Sequence, residues 1–210
     1  MGAARTVAAL KTAGVVSTLL GAALTCWGGV VLTGRALPPP AAPVNVGAVP
    51  PAVPPAMPHT ADGGVQPTGL GIPALRISAR IRSVGVDARG ALRVPSAPHE
   101  LGWWSGGARP GSAAGRVVVA GHVDTARHGP GALFRLADAL PGDEVHVRTA
   151  DGGLHTYRVV ARRLYPKNRL PAQVFARTGP PCLVLITCAG PFDPRTRHYR
   201  DNLVVYALPA

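Results

Sequence analysis

From Ile72 onward the chain alternates apolar and polar positions in short runs. Leu75 and Ile77 alternate with Arg76 and Ser78, and Ile81 and Val84–Val86 follow, which predicts two short strands with a polar face. Glu144–Thr149 alternates again, with Val145 and Val147 set against His146 and Arg148. Asp151-Gly152-Gly153 then supplies a turn, and Leu154–Tyr165 alternates in its wake, so this stretch reads as a hairpin. Three runs do not alternate. Val117–Ala120, Leu183–Ile186 and Leu203–Ala207 are continuously apolar and predict buried strands. Leu133–Leu140 has the spacing of a short helix or 3₁₀ turn, ended by Pro141-Gly142-Asp143, and Pro171–Ala176 can form one more helical turn. Many short strands, regular turn signals and few helices argue for an all-β, closed or nearly closed barrel.

The first third follows a different rule. Residues 12–34, bracketed by Lys11 and Arg35, hold 23 uncharged and mostly apolar positions. That is enough for a membrane-spanning helix, which needs about 20 residues. It is longer than the usual apolar region of a cleaved signal peptide, about 7–15 residues, although a cleaved signal is the alternative. Arg5 and Lys11 precede the segment and only Arg35 follows it for forty residues, which places the N-terminus in the cytoplasm and the rest outside. Ten of the residues from Pro38 to Pro67 are prolines. Proline removes donors and favours extended polyproline II geometry, so this stretch reads as a spacer. The expected organisation is a cytoplasmic N-terminus over 1–11, a transmembrane helix over 12–34, a proline-rich extracytoplasmic linker over 35–70 and one domain over 71–210.

Charge narrows the partners. The net charge is +12, and 19 of the 22 basic residues and nine of the ten acidic residues follow residue 68. A basic domain is drawn to anionic surfaces such as acidic lipids or wall polymers, and the same charge also serves solubility. No basic cluster is interleaved with aromatics, which argues against nucleic-acid binding.

Candidate chemistry sits where the apolar runs end. Cys188 follows Leu183–Thr187 and stands before Ala189-Gly190-Pro191, which predicts a thiol at the mouth of a strand that stops in a turn. Cys182 lies on the same strand; six residues at ~3.3 Å each separate the two by roughly 20 Å, too far for a disulfide. Cys188 is thus a free thiol and the candidate nucleophile, while Cys182 reads as a small buried hydrophobe. The bland alternative for Cys188 is an inert structural cysteine. His122 closes the Val117–Gly121 run and is the candidate acid and base, with His198 as its rival. Arg200, just before the last run, is the candidate oxyanion partner, with Arg195 and Arg197 as rivals. Asp124 invites a Cys-His-Asp triad, or binds substrate. Thr187 neighbours the nucleophile but points to the opposite face of the strand. The Trp103-Trp104 pair suits a core plug or a lid on a strand edge, and Trp104 is also a candidate for lining a substrate surface. A zinc site from Cys182, Cys188 and His198 lacks any recognised ligand spacing, and no glycine-rich phosphate loop follows a strand, so neither metal nor cofactor is expected.

The ordered set Gly121-His122-Val123-Asp124, Leu185-Ile186-Thr187-Cys188 and His198-Tyr199-Arg200-Asp201-Asn202 resembles the sortases, membrane-anchored cysteine transpeptidases of Gram-positive cell surfaces. Phe134-Arg135-Leu136, Pro141–Val145 and Ile72–Ile77 are similar to the family as well, so that the likeness covers roughly 72–208. The Cys-Ala-Gly-Pro-Phe-Asp and His-Tyr-Arg-Asp-Asn details are most similar to its class F and class E members. The resemblance implies a closed barrel of about eight strands, preceded by the membrane helix. It implies catalytic His122, Cys188 and Arg200, with Thr187, Asp124 and Trp104 towards substrate. It also implies a Leu-Pro-any-Thr-Gly-like sorting signal as donor, and as acceptor an amine of a lipid-linked peptidoglycan precursor or a pilin lysine. The alternatives are a cysteine peptidase hydrolysing the same kind of peptide, and a non-catalytic membrane-anchored binding module.

Overall fold

The continuous apolar runs become the most deeply buried strands of the computed structural model, which describes residues 44–51, 64–88 and 90–210. The strands are β1 Val46–Gly47, β2 Pro67–Ile72, β3 Ile77–Val84, β4 Glu100–Trp104, β5 Arg116–Ala120 and β6 Asp124–Thr125. They continue as β7 Gly129–Pro130, β8 Glu144–Thr149, β9 Leu154–Pro166, β10 Cys182–Asp193 and β11 His198–Pro209. Eight of them close a barrel in the order β9-β11-β10-β5-β4-β3-β2-β8, with β8 pairing back onto β9. Closure pairs the two outer strands with each other, the stable solution for many short strands, and leaves β9 an edge only beyond its pairing with β8. Two neighbours run parallel, β5 with β10 and β3 with β4; the other barrel pairs are antiparallel.

The barrel interior is packed with Leu70, Ile72, Leu101, Val117, Val119, Val145, Val147, Leu183, Leu185, Leu203 and Val205. A second cluster explains why β5, β10 and β11 do not alternate. Val118, Val184, Ile186, Val204 and Tyr206 face away from the barrel axis, yet Val174, Leu170, Phe175, Trp104 and Val49 cover them. Strands buried on both faces read as unbroken apolar runs. The expected helical turns appear as 3₁₀ turns at Leu136–Asp138 and Ala172–Phe175. The predicted hairpin is β8–β9, its turn fixed by Asp151 Oδ1, which accepts from Thr149 Oγ1 at 2.6 Å and from the Gly153 amide at 3.0 Å.

Two boundaries differ from the sequence reading. Residues 44–51, read as part of an extended spacer, pack on the domain. Val46 and Gly47 pair with Arg162 and Ala161 of β9. Arg162 Nε donates to the Val44 carbonyl at 3.0 Å, and the Arg163 guanidinium donates to the carbonyls of Val46 and Gly47, each at 2.6 Å. Short apolar residues between the prolines let this stretch add to a strand edge, which the proline count conceals. Strand β2 likewise begins at Pro67, inside the predicted linker. The predicted cytoplasmic stretch 1–11, the spanning segment 12–34 and linker residues 35–43 and 52–63 lie outside the described residues. Among the described residues no helix is long and apolar enough to cross a membrane.

Candidate active site

Parallel pairing of β5 with β10 sets Cys182 opposite Arg116 and Ile186 opposite Ala120. Two residues beyond that last pair come Cys188, still within β10, and His122, just past the end of β5. The Gly121 amide donates to the Ile186 carbonyl at 3.1 Å, and buried Thr187 donates from Oγ1 to the Gly121 carbonyl at 2.8 Å, so the two chains stay in register up to the pair. A Cβ at Gly121 would lie 2.4 Å from Leu101 Cδ2, so any larger residue there would force buried Leu101 to shift. Thr187 therefore holds the histidine loop to the strand bearing Cys188 from inside the barrel, and it does not line the cavity that Cys188 lines.

Half-buried His122 is fixed from the β3–β4 connection. Its Nε2 lies 3.0 Å from the Pro95 carbonyl. A carbonyl oxygen only accepts, so Nε2 carries the hydrogen and Nδ1 is the nitrogen free to take a proton. Cys188 is a half-buried free thiol. Both line one cavity of about 690 Å³.

Asp124 lines the same cavity but is engaged elsewhere. Its Oδ2 accepts a 2.6 Å hydrogen bond from Tyr199 Oη. Tyr199 in turn packs edge-on against Phe192, their ring centroids 5.2 Å apart. Burial, followed by the donor bond to Asp124, pushes the Tyr199 phenol up to about 12, so it remains a donor throughout the neutral range. A Cys-His-Asp triad is not the arrangement this carboxylate makes; it ties the loop after His122 to the β10–β11 hairpin.

The strand bearing Cys188 does not end at Ala-Gly-Pro, contrary to expectation. It runs on to Asp193 through a bulge: Ala189 pairs with Asp201 and Phe192 with Tyr199, which sets Gly190 and Pro191 together against Arg200. Gly190 absorbs the extra residue at φ +77°, and a Cβ there would lie 2.0 Å from Asp201 Oδ2. Arg200 accordingly lies within β11, which starts at His198, rather than before it. It lines an adjoining hollow of about 580 Å³ with Pro191, Asp201 and Lys167. Lys167 lines both hollows.

The rivals separate by position. His198 is exposed on the rim of the Cys188 cavity, with Arg197 beside it. Arg195 lines neither hollow; its amide donates to Asp193 Oδ1 and shapes the hairpin tip. Trp104 lines neither hollow as well. Its ring meets Phe175 edge-on at 5.5 Å, with Arg177 stacked over it, so it belongs to the outer apolar cluster and not beside Cys188. Trp103 is the core plug, donating from Nε1 to the Ala108 carbonyl. Cys182 is buried with its thiol pushed up by that burial, as suits a structural cysteine. Among the described residues no cluster of His, Cys, Asp or Glu could hold a metal ion. Tyr199, Phe192 and Lys167 were missed as cavity residues. The signal for Tyr199 was present, since it sits inside the His-Tyr-Arg-Asp-Asn motif. An aromatic straight after Gly-Pro, as Phe192 is, was a second one.

Comparison with known proteins agrees with this architecture. Sortase A from Corynebacterium diphtheriae is 20% identical, with a TM-score of 0.53 over 71% of this chain and 63% of that one. Sortase C-1 from Actinomyces oris is also 20% identical, with a TM-score of 0.53 over 68% and 73%. Sortase C2 of Group B Streptococcus pilus island 1 is 17% identical, again at 0.53, over 68% and 73%. At these identities the likeness establishes the fold. A search of curated proteins gives no match. The sortase domain family model matches residues 70–210, the barrel from within β2 to the end, and the chain therefore belongs to the sortase family of cysteine transpeptidases.

Proposed function

We propose that this chain cleaves a Leu-Pro-any-Thr-Gly-like sorting signal between Thr and Gly through a thioester on Cys188 and passes the acyl group to an amine. The observation that supports the reading is that the free thiol of Cys188 and the imidazole of His122, two residues past the last β5–β10 pair, line one cavity. Cys188 gives its thiol proton to His122 Nδ1 as Sγ attacks the threonine carbonyl carbon, forming C–S; the C–N bond to glycine then breaks, and the departing amine takes that proton from His122. The incoming amine gives a proton to His122 and attacks the thioester, forming C–N; C–S breaks, and the departing sulfur takes that proton from His122 to restore the thiol. With Nε2–H held by Pro95, Nδ1 is the proton-exchanging atom.

This chemistry divides the two hollows. The amine that leaves and the amine that enters must both reach His122, so they use the cavity that His122 lines. The acyl side lies in the adjoining hollow, where the Arg200 guanidinium donates to the carbonyl oxygen as negative charge grows on it. The motif details after Cys188 favour a class E or class F type of sortase. Residues 12–34 anchor the protein in the membrane as a single span, with the catalytic domain extracytoplasmic, the sorting signals of secreted proteins as donors and a lipid-linked peptidoglycan precursor or a pilin amine as acceptor.

The test is mass spectrometry of the full-length protein after incubation with a Leu-Pro-Glu-Thr-Gly peptide. The expected result is an acyl adduct on Cys188 that an added amine removes, absent in Cys188→Ala and strongly reduced in His122→Ala and Arg200→Ala. An adduct that only water removes would make the protein a peptidase. No adduct, together with a thiol that resists alkylation in the native fold, would refute catalysis.

A further inference from the structure

Two cations line the Cys188–His122 cavity without a part in the cleavage chemistry, Arg197 and Lys167. The only acid among the lining residues is Asp124, whose carboxylate is bound by Tyr199 Oη. Arg197 stands at the tip of the β10–β11 hairpin with φ +56°, a left-handed conformation in which Gly or Asn is favoured over a long side chain. The tip is not loose, because Asp193 Oδ1 accepts from the Arg195 amide and holds its turn. A left-handed arginine in a fixed tip at the rim of a reactive cavity calls for a use of its side chain.

We infer that the cavity selects an acceptor whose amine lies close to an anionic group, a carboxylate or a phosphate, and that Arg197 and Lys167 bind this group. The inference rests on the transpeptidase reading, since an acceptor amine enters this cavity only where an amine resolves the thioester. Such an acceptor is zwitterionic. Its ammonium is drawn by Asp124 as it enters and gives up a proton to His122 before attack. Its anion meets the planar guanidinium fork of Arg197, which suits either oxyanion, and the point charge of Lys167. Arg200 is excluded from this task, because it lines the other hollow.

The experiment measures aminolysis of the Cys188 thioester formed by the full-length protein, as KM corrected for the free-amine fraction. Glycylglycine is compared with glycylglycinamide, and phosphoethanolamine with ethanolamine. Exposed ion pairs of this kind support on the order of a threefold to fivefold preference for the charged member. That preference is expected to fall towards unity in Arg197→Gln and Lys167→Met, and also at high salt. Arg197→Gly, which suits the backbone, should lose it equally and guards against misfolding of the glutamine variant. Preference confined to the first pair identifies a carboxylate as the anion, and preference confined to the second identifies a phosphate. Equal KM values within both pairs, or a preference that survives all three substitutions, overturns the site and leaves transpeptidation standing. A thioester that forms but never accepts any amine overturns transpeptidation, and the acceptor site with it.

Discussion

The hydrogen bond from Tyr199 to Asp124 is the most exposed part of the reasoning, because it replaces a triad with a latch. Tyr199→Phe removes the hydroxyl and keeps the ring against Phe192. A hydrogen bond to a charged group contributes about 1.5–3 kcal/mol. Both partners here are only half-buried, which reduces the figure to about 1 kcal/mol, roughly a fivefold change in an equilibrium constant. Urea unfolding of the full-length protein should show that loss in Tyr199→Phe and again in Asp124→Ala. The double variant should cost no more than either single one, a coupling of about 1 kcal/mol. The latch joins the loop two residues beyond His122 to the hairpin beyond Cys188, so thioester formation should slow by about the same factor in all three variants. Energies that add to within about 0.5 kcal/mol would refute the latch. Asp124→Ala that cripples thioester formation while Tyr199→Phe leaves it untouched would refute it differently, by returning the carboxylate to His122.

Gly190→Ala should destabilise the chain by about 1–2 kcal/mol in the same unfolding assay, since its left-handed backbone penalises a Cβ. Part of that loss should vanish in an Asp201→Ala background, where the crowding oxygen is gone. Thr187→Val keeps the shape and deletes the bond to Gly121; it should cost about 1 kcal/mol and slow thioester formation, which would separate register keeping from substrate contact. Stability should also fall at high pH. Burial pushes the phenol of Tyr157 up to about 12, so above the ordinary value near 10 the unfolded chain loses a proton that the folded chain retains. Its contribution is complete below about pH 10 and lost progressively towards about pH 12, worth roughly 2 kcal/mol in urea midpoints measured across that range.

The barrel strands were legible because burial writes itself into residue type. Val117–Ala120 and Leu183–Ile186 could only be core, and the β8–β9 hairpin announced itself by alternation and its Asp-Gly-Gly turn. The proline-rich stretch misled at 44–51, because proline content reports which backbone donors are missing and is silent on where the remaining donors and acceptors go. Arg162 and Arg163, more than a hundred residues away, donate to the carbonyls of that stretch, and no local pattern carries such a contact.

The site was legible to the extent that strand ends are. Cys188, His122 and Arg200 could each be placed at or near the end of an apolar run, but which of them share a space depends on register and on the bulge. Parallel pairing of β5 with β10 is a long-range fact, and with the Gly121 bonds beyond it brings the ends that carry His122 and Cys188 together. The bulge is a local one, and Gly190-Pro191 was read as the end of a strand when it is an extra residue within it. That residue matters to the chemistry. Without it Gly190 would pair with Arg200 in unbroken alternation from Cys188 and Asn202, and Phe192 would not face Tyr199. With it, Phe192 and Tyr199 form the aromatic wall of the nucleophile's cavity while Arg200 lines the next hollow. A thioester has two sides, one carrying the acyl chain and one facing the amine, and under the proposed chemistry the bulge that leaves Arg200 in one hollow and Cys188 in the other would give each side its own space.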